Sequence, residues 1–244
     1  MPASAPIVVL VVVALIALVT VMAVAAIVRW LGLLRRPRVL VQDGYWREAA
    51  TAAERLGQSW LGSFPSVREE AAHVRAACLH LEGKLEESLV ASRGLREGAL
   101  LEGANLVMLG REAERAVERL AGACATPRSS AEDHLLLALA KHAAGDAAGA
   151  GEAFATVAPA RPKGAPSPRI YEPAFHFLRG LYLLKTGRAA EAATDLGLAA
   201  ASPITTIYVE RARALVAADP SPTADADARS SLTGQVIGEP RAGD

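Results

Sequence analysis

Residues 7–28, "IVVLVVVALIALVTVMAVAAIV", form an apolar run without a charge, and beyond Arg29 the pattern changes to apolar residues recurring at three- and four-residue spacing among polar ones. The first pattern predicts a transmembrane helix, since at 1.5 Å rise per residue the run spans about 33 Å, close to a bilayer core. Its β-branched residues do not oppose this, because in lipid a helix satisfies its backbone hydrogen bonds within one segment. The second pattern predicts amphipathic helices punctuated by glycine. Gly44, Gly83, Gly145 and Gly187 each close one helical run and open another, as in "EGKLEESLVASRGL" and "AGDAAGAGEAFATV". Gly suits the break because it takes the left-handed conformation at little steric cost. The predicted fold class is all-α, a transmembrane helix followed by helix–turn–helix hairpins stacked as an α-solenoid.

The stretch "GLYLLKTGRAAEAATDLGLAAASP", 180–203, carries the clearest hairpin, with small residues where its helices must approach closely and leucines filling the seam beside them. Such hairpins resemble tetratricopeptide repeats (TPRs), a family of units of about 34 residues. In the copy starting at Pro173, Gly180, Gly187, Ala192, Leu196 and Ala199 stand at the family's small, turn and seam positions. From Ala131 the matching residues are Ala138, Gly145, Ala150, Phe154 and Val157, and from Glu69 they are Ala76, Gly83, Ser88, Ser92 and Leu95. "NLVMLGREAERAVERLAGA" reads as a degenerate copy, with Leu109, Ala113, Ala116 and Leu120 on one side. Gly44 through "WREAATAAERL" supplies a second helix, with Pro37 where its first helix should be. "TTIYVERARALVAA", 205–218, suits a terminal capping helix. One hairpin cannot bury its apolar face alone, so about three must stack. The division that follows is an anchor with basic flank at 1–38, a TPR-like domain at 39–218 and a disordered tail at 219–244. The Pro-rich stretch 159–173 is expected to be an exposed loop, and the tail is too polar and too rich in Pro, Gly and Asp to pack.

The resemblance implies a concave groove lined by the first helix of each hairpin. Position by position this gives Glu70, His73, Ala77 and His80, then Glu132, Leu135, Leu139 and His142, then Ala174, Phe177, Leu181 and Leu184. The groove turns more apolar toward the C-terminus and suits an amphipathic helix or an extended peptide. The alternative occupant is the chain's own capping helix or tail. The basic clamp by which some TPR proteins take chaperone C-termini is not supplied at these positions.

Composition narrows the function. Aromatics are only 5% of residues, which favours helix over strand. With 26 basic and 26 acidic residues no net field draws the chain to nucleic acid. Cys78 and Cys124 match no zinc or redox spacing and read as small buried hydrophobes, a disulfide being the minor alternative. His73 and His80 share a helical face but lie about 10 Å apart along the axis, too far to share an ion without a ligand between them. Neither a metal nor another cofactor is expected. No nucleophile elbow, phosphate loop or dinucleotide fingerprint is present, so the chain is read as no enzyme. "SSAED", 129–133, is a capping box, and His134 and His176 are expected to face their own hairpins.

The flanks of the apolar run set its direction. No Lys or Arg precedes it, whereas Arg29, Arg35, Arg36 and Arg38 follow, so the helical domain is expected on the cytoplasmic side. Trp30 fits the headgroup level. The anchor is thus bounded by Ile7 and Val28 and flanked by Arg29, Trp30, Arg35, Arg36 and Arg38. The excess of Arg over Lys hints at a bacterial source, hence the inner membrane. The expected function is a membrane-anchored scaffold that binds another protein or peptide. Two alternatives stay open: a permanent subunit of a larger membrane complex, or an extracytoplasmic binding protein released by cleavage after Ala25.

Overall fold

The computed structural model describes residues 17–22, 24, 32, 35–127, 129–157 and 170–218. The described residues are helix and turn, in agreement with the predicted all-α class and compatible with an α-solenoid. A helical stretch over 35–42 leads into α1 (Trp46–Gln58) and a 3-10 turn at Trp60–Ser63. The hairpins α2 (Pro65–Leu81) with α3 (Leu85–Ser92) and α4 (Ala99–Leu109) with α5 (Ala113–Cys124) follow. Next come α6 (Ala131–Ala143) with α7 (Ala147–Val157) and α8 (Tyr171–Lys185) with α9 (Ala189–Ala200), before a last helix, α10 (Ile207–Ala218).

One backbone device repeats at the turns. The four glycines read as helix breaks all take positive φ, from +80° at Gly187 to +89° at Gly44. In each turn the glycine amide bonds the carbonyl three residues back and the next amide bonds the carbonyl five residues back, as in Gly83 to His80 and Lys84 to Leu79. That pair satisfies the orphan carbonyls of the first helix and reverses the chain. Gly110, φ +67°, makes the same two bonds, to Val107 and from Arg111 to Leu106. The degenerate copy is therefore a complete hairpin.

Small residues let the paired helices close. Ala76, Ala138, Ala150, Ala192 and Ala199 are fully buried. A Cβ at Gly180 would stand 2.9 Å from Leu196 Cγ, and one at Gly103 would stand 2.6 Å from Leu120 Cγ. First helices α2, α4, α6 and α8 touch in succession, and α3 and α5 each pack on the first helix of the next hairpin. One apolar cluster runs from Trp46 and Ala49 to Tyr208 and Ala212.

Several boundaries differ from the sequence reading. The stretch 35–42 is helical with Pro37 buried, so the line drawn after Arg38 falls inside a helix that packs with the domain. Pro37, read as standing in the way of a first helix, is instead carried within this helical stretch. Pro173 is likewise tolerated in the first turn of α8, which begins at Tyr171, inside the segment read as loop. The remainder of that segment, 159–169, and the tail 219–244 lie outside the described residues, as does most of the run 7–28. Its described positions, 17–22 and 24, are helical and exposed. Among the described residues no helix is long and apolar enough to cross a membrane.

Candidate functional site

The first helices place their inward faces in one row, and the last helix crosses that row at the end nearest the turns. Ile207, Tyr208, Val209 and Ala212 of α10 are buried, and α10 contacts both α8 and α2. The Tyr208 ring lies 5.8 Å from Phe177 and 5.5 Å from His80. Arginines hold the seat: Arg211 Nη1 donates to the Met108 carbonyl of α4 (2.7 Å), and Arg213 donates to Ala200 and Ser202 at the end of α9. Cations at helix C-termini meet orphan carbonyls and the negative dipole end together.

Beneath α10 runs a directed hydrogen-bond chain. Asn105 Nδ2 donates to Ser88 Oγ (2.9 Å), and Ser88 donates to the Ala76 carbonyl (2.8 Å). The amide oxygen of Asn105 therefore faces His80 Nδ1 at 2.8 Å and accepts from it. That leaves His80 Nε2 as the acceptor for the Tyr208 hydroxyl at 2.6 Å. A neutral imidazole fits both bonds, and burial pushes the His80 pKa below its ordinary value, assisted by Arg211 and opposed by the Asn105 bond. All side chains of the chain except Tyr208 come from hairpins α2–α3 and α4–α5.

Beside α10 a cleft of about 440 Å³ opens along the first helices, with Tyr208 and His80 among its lining residues. His73, Ala77, Leu101, Leu136, Tyr171 and Leu178 line it, and Glu132 and Asp133 stand at the start of α6. Asp133 is committed to the predicted capping box with Ser130. His73 is half-buried, its Nδ1 has no hydrogen-bond partner among the described residues, and burial and then the Arg38 charge lower its pKa.

The predicted groove residues separate into classes. His73, Ala77 and His80 do line the cleft. Leu135, Leu139 and Phe177 are buried in the core and present nothing to a ligand, because the wall they belong to is packed against neighbouring helices. His142 is half-buried against the Tyr182 ring, which stacks on Phe154 at 4.4 Å. Leu181 is half-buried and Leu184 exposed. Of the anchor residues, Ile7, Val28, Arg29 and Trp30 lie outside the described residues, and Arg35 and Arg36 are exposed. Arg38 instead bonds Glu70 (2.8 Å) and Glu97 (3.1 Å), tying the flank to the second hairpin.

Other chemistry is structural. His176 bonds Asp195 across its own hairpin at 2.9 Å, in keeping with the hairpin-facing expectation, and His134 meets Ser129 at 3.2 Å. Both cysteines are free, and the buried Cys78 thiol donates to the Trp46 carbonyl. Among the described residues no His, Cys, Asp and Glu side chains gather as a metal site. A larger cleft of about 720 Å³ lies where the start of α1 meets the 201–205 segment, at the seam between the two ends of the domain.

Tyr208, Asn105, Leu101 and Leu136 escape a sequence reading. The available signal was Asn105, a lone amide inside the apolar "LLEGANLVML", which a buried helix tolerates only with partners. No family model matches the chain, and neither a curated protein nor a solved structure is significantly similar to it.

Proposed function

We propose that the chain is a membrane-tethered, TPR-like scaffold whose open concave cleft takes a short apolar segment of a partner protein at the cytoplasmic face of a bacterial inner membrane. The observation that carries this is the cleft of about 440 Å³ along the first helices, lined by Ala77, Leu101, Leu136, Leu178 and Tyr208. A wall of Leu, Ala and Tyr with a few polar groups matches a peptide anchored by one or two apolar side chains. For the tether, support comes from the described part of the apolar run, where Leu18, Val19, Val21, Met22 and Val24 are helical and 54–65% exposed. Apolar side chains exposed on all sides of a helix suit lipid as solvent. Tethering raises the local concentration of both partners, so modest affinity suffices.

The test is photo-cross-linking in native membranes from Leu101, with Leu198 on the outer layer as comparison. A defined partner chain captured from Leu101 alone supports the reading. Capture from Leu198 alone rejects the cleft and favours the second reading, a permanent subunit of a membrane complex. That reading rests on the outer helices, where Val90 and Leu198 are 68% and 53% exposed.

A further inference from the structure

We propose that the turn between α1 and α2 is a second membrane contact, in which Trp60 and Phe64 enter the bilayer interface while Arg36, Arg55 and Arg68 meet anionic lipid headgroups. The inference rests on the tether of the reading above and adds where the helical domain touches the surface to which it is tied.

The turn is built to hold its aromatics outward. Leu61 points in and forms a small cluster with Leu56 and Val67. Ser59 and Ser63 donate to the Leu56 and Trp60 carbonyls, each at 2.7 Å, and a Cβ at Gly62 would overlap the Gly57 carbonyl oxygen. On this fixed loop Trp60 is 73% and Phe64 47% exposed, their rings meeting edge to face at 6.0 Å. An exposed aromatic pair on a rigid turn is the amphipathic element that the interface between headgroups and acyl chains favours.

Its surroundings match an anionic surface. Arg36 from the 35–42 stretch and Arg55 from α1 line one cleft of about 570 Å³ with Trp60, and exposed Arg68 follows Phe64 in the first turn of α2. Among the neighbouring acids, Glu48 lines the same cleft, Glu54 accepts from Gln58 and Glu69 accepts from the Arg96 amide, so the three arginines face one acid without a described side-chain or backbone donor. Position agrees with charge. The stretch 35–42 and α1 are the two legs of a hairpin turning at Gly44, which brings Arg36 of the first leg to the same cleft as Trp60 beyond the second.

The test uses the full chain in vesicles of phosphatidylcholine carrying brominated acyl chains, with and without phosphatidylglycerol. Trp46 is buried and serves as an internal reference. In a Trp30→Phe background the brominated lipid is expected to quench emission, and adding Trp60→Phe removes the quenched component. Because the Trp60 side chain is exposed, its loss leaves the fold intact. Arg36→Gln with Arg55→Gln lowers Trp60 quenching in anionic vesicles toward its level in pure phosphatidylcholine. Flotation is read on the same samples. A chain that floats while Trp60 stays unquenched overturns the inference and leaves the tether standing, whereas a chain that does not float overturns both. Equal quenching with and without phosphatidylglycerol overturns the arginine contact. Trp60 emission that follows protein concentration instead of brominated lipid places a second copy of the chain there and overturns the inference.

Discussion

The Tyr208 hydroxyl is the one bond by which the last helix enters the His80 chain, and its removal leaves a buried acceptor with nothing in its place. Tyr208→Phe is therefore expected to cost about 1–3 kcal/mol, the desolvation penalty of an orphaned Nε2, readable as a lower urea midpoint with unchanged slope. His80 also sets a pH dependence. Burial holds its folded pKa below the ordinary 6.5, so the folded protein keeps the ring neutral while the unfolded chain takes up a proton. Below that value the unfolded state binds more protons, and stability falls as pH drops toward the depressed folded pKa; above it the contribution is complete. His73 is shifted in the same direction and adds to the slope. Unfolding midpoints measured between about pH 7 and pH 5 should fall with acid, and His80→Gln should flatten the fall whatever it does to the absolute midpoint. A slope unchanged by His80→Gln would remove His80 as its source.

At the scale of elements, what was legible in the sequence was the turn device. Four glycines flanked by helical periods gave four breaks, because a left-handed residue at a helix end is a local requirement written in one letter. Gly110 stayed hidden for two physical reasons. The preceding second helix, Leu85–Ser92, is short, so the glycine follows Gly83 too closely to match the repeat length. The apolar face of α4 is also interrupted by buried Glu102, neutralised by Arg115 and Arg119 from α5, and by buried Asn105. Groove positions were legible only as register: sequence places His73, Ala77 and His80 inward and offers the capping helix 205–218 as an occupant, but does not single out Tyr208 as the side chain that meets His80. Within the helices glycine has opposite meanings that substitution separates. Gly103→Ala should cost about 1–3 kcal/mol through the clash with Leu120. Gly122→Ala, with open space around it in α5, should gain about 0.5–1 kcal/mol by entropy and helix propensity. Urea unfolding of the two variants side by side reads the contrast.

Across the whole molecule, the last segment returns to the first. The Trp46 indole donates to the Thr205 carbonyl at 3.1 Å, Ile204 sits over Gly44, and Ile207 sits over Gly83. In an open solenoid each hairpin answers only to its neighbours, so loosening the C-terminal helix would disturb α8 and α9 and stop there. Here α10 also spans to α2, and the seam beside it joins the start of α1 to the end of α9. Ile207→Ala removes a side chain 6% exposed and should cost about 2–5 kcal/mol. Hydrogen exchange tells where the cost is felt. Faster exchange is expected together in α8, in the last turn of α2 and around Gly44 and Trp46, with α7 spared because it lies on the outer layer away from the seam. Acceleration confined to α8 through α10 would make the array open and the contact between its ends energetically idle. Coupling would mean that a ligand entering the cleft over Tyr208 bears on both ends of the domain at once, including the end that follows the apolar run 7–28.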